Sequence, residues 1–390
     1  MIHTSPFLVA GLLLVPHAEE EPGELMRNVY EVLRSRYYDE RFREEQLPEI
    51  AHPFLERSRR LGELEQEREL VHDFLSNIPV SHLGLMSETA HEQMIAELGR
   101  RPRWTFGFQL AHLEEGWFVD WVYEGGPAER AGIARGDQVL TIDGRAPEHS
   151  PRVDWRTDDA ALPDPALHGV LADGDDSVEL LLRRRPGLQG RLSLRSRRYS
   201  GWQAAEASAR VFAMGDLRVG YVHYWFIPMT GGTKFLRELC RGRFADCDAL
   251  IFDLRGRGGA AHEAMGIVKT LDPEGDDWGK PVVALVHADS RSAKEVIAWE
   301  LQRRNAALLV GERTHGAVIP ASFTKVGSGM VLMFPSTSLG SYTKEIEGRG
   351  ITPDVVVDYP LPWTAGRDPV LEAGKVVARE WCSALAAATR

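Results

Sequence analysis

"PVVALVHADSRSAKEVIAWELQRRNAALLVGERTHGA", residues 281–317, decides the fold. An apolar run, "PVVALV", ends in "HADSRS". "SAKEVIAWELQRR" then spaces apolar residues three and four apart, the period of a helix buried on one face. A second apolar run, "AALLVG", ends in "GERTHGA". The stretch reads as strand, helix, strand. Upstream, strand "LRVGYVHYW" (217–225) precedes helix "GGTKFLRELCRGRF", and strand "DALIFDL" (248–254) precedes "RGRGGA" and helix "HEAMGIVKTL". Such alternation specifies a parallel sheet with right-handed crossovers. In these sheets functional groups gather where strands hand over to helices. Three loops fall there: "RGRGGA" (255–260), "HADSRS" (287–292) and "GERTHGA" (311–317).

The rest of the chain has a different texture. "MRNVYEVLRSRYYDERF" (26–42) and "LGELEQERELVHDFLSNI" (61–78) have helical periodicity, with Pro48 and Pro53 expected to break the region between. "PVSHLGLMS" (79–87) is short and strand-like, and "ETAHEQMIAELG" (88–99) is helical. From residue 104, "WTFGFQLAHLEEGWFVDWVY" alternates and is rich in aromatics, as strands are. "GGPAERAGIARGDQVLTIDG" (125–144) gives a turn, a short helix from Pro127 and a strand closed by Asp143-Gly144. Residues 145–170 read as a long loop, and two further alternating runs close an all-β unit near residue 200.

Composition bounds the function. The 390 residues suffice for two or three domains, and the net charge of −11 argues against a nucleic-acid partner. Cys240, Cys247 and Cys382 lack metal-ligand spacing and are expected as small core residues. No cofactor or metal is expected. "PFLVAGLLLVPHA" (6–18) has signal-peptide length, but no Lys or Arg precedes it and Pro16 occupies the −3 position of the cleavage site. The protein is periplasmic or secreted if residues 1–18 are a signal peptide, and otherwise cytoplasmic. The run is shorter than the ~20 residues of a membrane span, so no stable span is expected.

Ser292 has two readings. Ser292 to Glu295 is S-x-x-E, a capping box, and a serine before an apolar-periodic run is usually an N-cap. A nucleophile would use the same strand-to-helix turn. It would also need a base. His82, His287, His315 and Lys294 are the candidates. Lys294 is two residues along the helix and is expected to be a solvated charge; the residues alone do not choose among the histidines. The turn "DLRGRGGA" (253–260) exposes backbone N–H groups suited to an oxyanion, and fits no phosphate-binding glycine motif.

Five motifs, in order, resemble the C-terminal processing (tail-specific) serine peptidases. Within these they are most similar to the branch of the tricorn core protease and the retinoid-binding-protein-like modules. "GGPAERAGIARGDQVLTIDG" resembles a bacterial PDZ signature, "DLRGRGGA" the "DLRxNxGG" turn, and "RSAKEVIAWEL" the nucleophile helix. "VGERTHGAV" resembles the loop after the next strand, and "EIEGRGITPDVVV" the closing motif. The resemblance implies a multidomain α/β protein. Residues 1–22 would be a signal peptide or disordered start, 23–102 a helical N-terminal domain, 103–200 a β-rich PDZ domain, and 201–390 an α/β catalytic core of the crotonase-like spiral kind.

The tail-specific branch carries a lysine base in "GERTFGKG", and Ala317 stands at that position here. The tricorn-like branch instead uses a histidine in a Ser-His pair, here Ser81-His82. The resemblance thus implies a Ser292 nucleophile, a His82 base, Glu347 as its orienter and Ser81 as a fourth member. Gly259 and Ala293 would supply the oxyanion N–H groups. Phe106, Gly107 and Phe108 would bind a peptide end as an added strand. The implied function is a serine endopeptidase cleaving polypeptides near their C-termini. The alternative is an inactive relative that binds peptides or apolar ligands, to which Ala260 and Ala317 point.

Overall fold

The computed structural model describes residues 21–154, 167–275 and 277–388. The signal-peptide run and the centre of the expected 145–170 loop lie outside the described residues.

Six elements precede the PDZ region: α1 (Glu24–Arg36), α2 (Glu40–Glu45), α3 (Leu47–Ser58), α4 (Leu64–Ser76), β1 (Gly84–Ser87) and α5 (Glu88–Leu98). The prolines do not break the chain as expected. Pro48 falls in the first turn of α3, where its missing N–H has no helical partner to lose. Pro53 lies inside α3 and removes one bond, while Leu47 and Ala51 on the same helix are fully buried. Packing outweighs the local penalty.

The β-rich region holds β2 (Arg103–Thr105), β3 (Phe108–Leu113), β4 (Gly116–Val122), α6 (Pro127–Arg130), β5 (Gln138–Ile142), β6 (Val153–Asp154), β7 (Leu167–Val170), β8 (Ser177–Arg185), β9 (Leu188–Arg195) and β10 (Arg197–Tyr199). Seven of these strands form one sheet, ordered β6-β7-β3-β4-β5-β8-β9. Alternation supplies its core, with Phe106, Leu110, Val119, Ile142 and Leu180 turned inward. Among its described residues the expected loop at 145–170 contains two short strands, β6 and β7, which pair with each other, and β7 also pairs with β3.

The core continues with α7 (Gly201–Ser208), β11 (Arg210–Met214), β12 (Leu217–His223), α8 (Gly232–Arg241), β13 (Ala249–Asp253), α9 (Ala261–Leu271), β14 (Val282–Val286), α10 (Ala293–Arg303) and β15 (Leu308–Gly311). It closes with β16 (Ala321–Gly327), β17 (Met330–Pro335), α11 (Ser341–Ile346), β18 (Val355–Val356) and α12 (Pro369–Ala388). The main sheet runs β11-β12-β13-β14-β15-β18, parallel from β12 to β18 with β11 antiparallel at the edge. Strands β13 and β14 are buried along their whole length, as expected of a parallel sheet covered on both faces. Helices α8, α9 and α10 cover one face and α12 the other.

A second sheet, β1-β17-β16, joins the two ends of the sequence. Gly84 pairs with Met333 and Ser87 with Met330. Leu25, Val29 and Phe74 of the N-terminal helices share one core with Ile319, Leu332 and Phe334. The N-terminal helices therefore share a core with the β16–β17 hairpin from the C-terminal part of the chain. No described helix is long and apolar enough to cross a membrane.

Candidate active site

Strand β14 ends at Val286, and the chain turns through 287–292 before α10 begins. Ser292 is held at φ 56°, ψ −126°. A non-glycine residue keeps such a backbone only where its surroundings over-determine it. The Ser292 N–H donates to the Ala317 carbonyl at 2.7 Å, and its own carbonyl accepts from Glu295 N at 2.9 Å and Val296 N at 3.2 Å. Its side chain makes no capping bond. The expected capping box is absent, because Glu295 turns to the neighbouring loop. Its carboxyl accepts from Thr314 Oγ1 at 2.5 Å, Gly316 N at 2.7 Å and Ala317 N at 2.8 Å. Burial nevertheless raises the Glu295 carboxyl to about 7. Ser292 Oγ is left for other chemistry.

His82 is brought to the Ser292 cavity by the segment leading into β1, which pairs with β17. It lies in the turn before β1, not in the strand, at φ 53°. His82 and Ser292 line one cavity of about 240 Å³. The imidazole Nδ1 is 3.1 Å from Ser81 Oγ. Glu347 does not touch the ring: its Oε1 accepts from Ser81 N at 2.9 Å, and its Oε2 from Val318 N at 2.9 Å and Ile319 N at 3.2 Å. The carboxylate clamps the Ser81-His82 backbone to the segment after Ala317. His315 does not line the cavity; its N–H donates to the Ser290 carbonyl. His287 is buried against Tyr359, and burial holds its pKa well below the usual histidine value.

The glycine turn faces Ser292 from β13. Arg255 braces it from beneath, bonding Asp253 through Nη2 at 2.6 Å and Asp368 through Nη1 at 2.8 Å. Gly259 has φ 143°, and a methyl on it would sit 2.2 Å from the Ile227 carbonyl oxygen. Neither Gly259 N–H nor Ala293 N–H has a backbone acceptor among the described residues. Ala260 has φ −77°, so its methyl fits without strain. Gly258 is the close neighbour: a methyl there would lie 2.7 Å from Ser292 Cβ. Gly258→Ala is expected to displace Ser292 and lower its reactivity by ~10²-fold, as a 1 Å misplacement does. Labelling kinetics with a fluorophosphonate check this, and a wild-type rate refutes it.

Lys294 corrects a second expectation. It is not solvated but fully buried, donating from Nζ to the carbonyls of Arg255 at 2.6 Å and Trp225 at 3.0 Å. Burial holds its pKa well below the ordinary lysine value. The spacing argument was right that it points away from Ser292; it points into the protein, under the glycine turn. Arg257 and Arg291 also line the Ser292 cavity, and no local pattern around them announces it. No group of His, Cys, Asp and Glu suited to a metal occurs among the described residues.

The expected peptide-binding strand is covered. Phe106 and Phe108 are buried in the β-rich core, Gly107 N–H donates to Thr105 Oγ1 at 3.0 Å, and the Phe106 carbonyl accepts from Ala128 N at 3.1 Å. Strand β3 pairs with β4 on one side and antiparallel with β7 on the other, Gln109 opposite Gly169 and Ala111 opposite Leu167. The edge expected to take a peptide is occupied by the chain itself.

Residues 269–357 match the model of peptidase family S41, and residues 118–154 match a PDZ domain. The C-terminal part is thus similar to the S41 peptidases and the β-rich region to PDZ domains. The S41 match spans α10, the Ser292 turn and the Glu347 motif. A carboxyl-terminal-processing protease of Picosynechococcus sp. is 24% identical over 266 residues, covering 60% of this chain and 58% of that one. A carboxy-terminal-processing protease of Bartonella bacilliformis is 35% identical over 86 residues, covering 21% of this chain and 19% of that one. The chain thus spans only part of the length of these curated relatives. Among solved structures, the photosystem II D1 C-terminal processing protease is similar at a TM-score of 0.54 and 17% identity, covering 90% of this chain and 99% of that one. The tricorn protease is similar at 0.53 and 16%, covering 93% of this chain and 37% of that one. These two share the fold of the S41 region and its companion domain.

Proposed function

We propose that this chain is a serine endopeptidase that cleaves polypeptides near their C-termini. The observation that carries the reading is the shared cavity of Ser292 and His82. Ser292 Oγ attacks the scissile carbonyl while His82 takes its proton through Nε2. The ring offers Nε2 because Nδ1 faces Ser81 Oγ. Glu347 acts through Ser81, fixing the backbone that carries the ring. The N–H groups of Gly259 and Ala293 take the oxyanion, each donor worth about 3–4 kcal/mol in a comparable enzyme. His82 then protonates the leaving amine, and water attacks the acyl-enzyme by the same route. The relatives named as carboxyl-terminal-processing proteases support the substrate class.

A fluorophosphonate probe tests this. The full chain is expected to be labelled at Ser292, and Ser292→Ala to lose the label. Folded protein that never labels at Ser292 is the inactive binding relative instead.

A further inference from the structure

We infer that Lys294 is a positioning residue for the oxyanion site, its buried amine locking the glycine turn 255–260 and the segment 225–227 to the helix that carries Ser292 and Ala293. The inference rests on the peptidase reading and adds a group to its machinery. Lys294 is fully buried, and its Nζ donates to two backbone carbonyls, Arg255 at 2.6 Å and Trp225 at 3.0 Å. The neighbouring Asp253 carboxylate is engaged by Arg255, through Nε at 2.9 Å and Nη2 at 2.6 Å. Filling space at this point needs no amine. A methionine of similar length would fill it without the desolvation cost of a buried lysine, and would leave both carbonyls unpaired.

The turn needs such a bond. Three of the six residues 255–260 are glycine, and Gly256 and Gly259 sit at φ 91° and 143°. A stretch so rich in glycine has many conformations open to it and holds one only through outside contacts. Its far end is held by the segment after β12: Ile227 N donates to the Gly258 carbonyl at 3.0 Å, and Ala260 N to the Ile227 carbonyl at 3.0 Å. Its near end is held by Lys294, through the carbonyl that precedes Gly256. The Trp225 carbonyl, two residues before Ile227, meets the same amine. A methyl on Gly256 would lie 3.1 Å from the Trp225 oxygen and 3.3 Å from Lys294 Nζ, so the turn is folded closely over the amine. His223 Nε2 lies 3.1 Å from the Arg255 carbonyl as well, but His223 belongs to β12 and links strand to turn, not turn to helix. Lys294 directly follows Ala293. One side chain thus ties the loop of one oxyanion donor, Gly259, to the helix of the other, and the two N–H groups keep a fixed spacing.

Fluorophosphonate labelling of Ser292 in the full chain, followed across probe concentration, tests this. It separates the maximal rate constant from the concentration that half-saturates it. Lys294→Met is expected to lower the maximal rate constant ~10- to 100-fold, as when an oxyanion donor is displaced rather than removed. The half-saturating concentration should stay within about twofold, because the cavity walls are unchanged. Lys294→Gln, whose shorter amide still offers N–H donors, should fall between the methionine variant and wild type. A lysine that only stabilises the fold gives another pattern: a lower urea midpoint and a smaller labelled fraction, with the folded fraction reacting at the wild-type rate. That pattern overturns the inference, as does a glutamine variant no faster than the methionine variant. Where the methionine variant fails to fold, the glutamine variant decides: slowed labelling supports the inference, and the wild-type rate overturns it. A wild type that never labels at Ser292 removes the peptidase reading, and this one with it. A labelling wild type with an unslowed methionine variant removes this one alone.

Discussion

His82→Ala is expected to slow fluorophosphonate labelling of Ser292 by ~10³-fold or more, because a serine hydroxyl without a base is a weak nucleophile. His82 is the histidine that shares the Ser292 cavity. His315→Gln is the matched control and should label at the wild-type rate, since His315 does not line the Ser292 cavity. If the two results are reversed, the base is His315. Ser81→Ala and Glu347→Gln should give smaller losses than His82→Ala. They loosen the ring through Nδ1 and through the Ser81 backbone, and leave Nε2 in place.

Glu295→Ala is expected to be the most destabilising single change near the site. It strips an acceptor from the Thr314 hydroxyl and from the N–H groups of Gly316 and Ala317, all inside the protein. Each buried donor left unpaired costs about 1–3 kcal/mol, so a loss of several kcal/mol is expected from urea midpoints. Labelling should slow as well, because the Ala317 carbonyl holds Ser292 N–H at 2.7 Å. A midpoint within error of wild type refutes the role. Stability should also depend on pH. Burial raises the Glu295 carboxyl from the ordinary 4.5 to about 7. Across that window the folded protein keeps a proton that the unfolded chain has released. The Glu295 contribution is thus full below the lower value, falls as pH rises towards the upper, and is level beyond it. Glu295→Gln cannot titrate and should remove this slope.

The main sheet was legible because its strands and helices alternate in sequence and pair with near neighbours. That His82 and Ser292 line one cavity was not legible from spacing. It depends on Gly84–Ser87 pairing with Met330–Met333, a contact between opposite ends of the chain that no local pattern announces. The family resemblance pointed to His82; periodicity did not. S-x-x-E misled for a physical reason. A capping box and a nucleophile turn share that pattern and differ in the serine backbone, which here is at positive φ and aims the glutamate at another loop. Lys294 misled because helix spacing tells which way a side chain leaves the axis and not what waits there. Pro53 misled because propensity was weighed without the burial of Leu47 and Ala51.

Strand β7 changes how the PDZ domain meets a ligand. A peptide adding to β3 must compete with a strand tethered to the same sheet, whose effective concentration reaches the order of millimolar for a short connection. The observed affinity is the intrinsic affinity multiplied by the small fraction of time that β3 is bare. Only polypeptides presented at high local density, or held elsewhere on the protein at the same moment, gain that edge. If a peptide adds to β3, its access is governed by the Leu167–Val170 strand that occupies this edge rather than by the turn at Gly107.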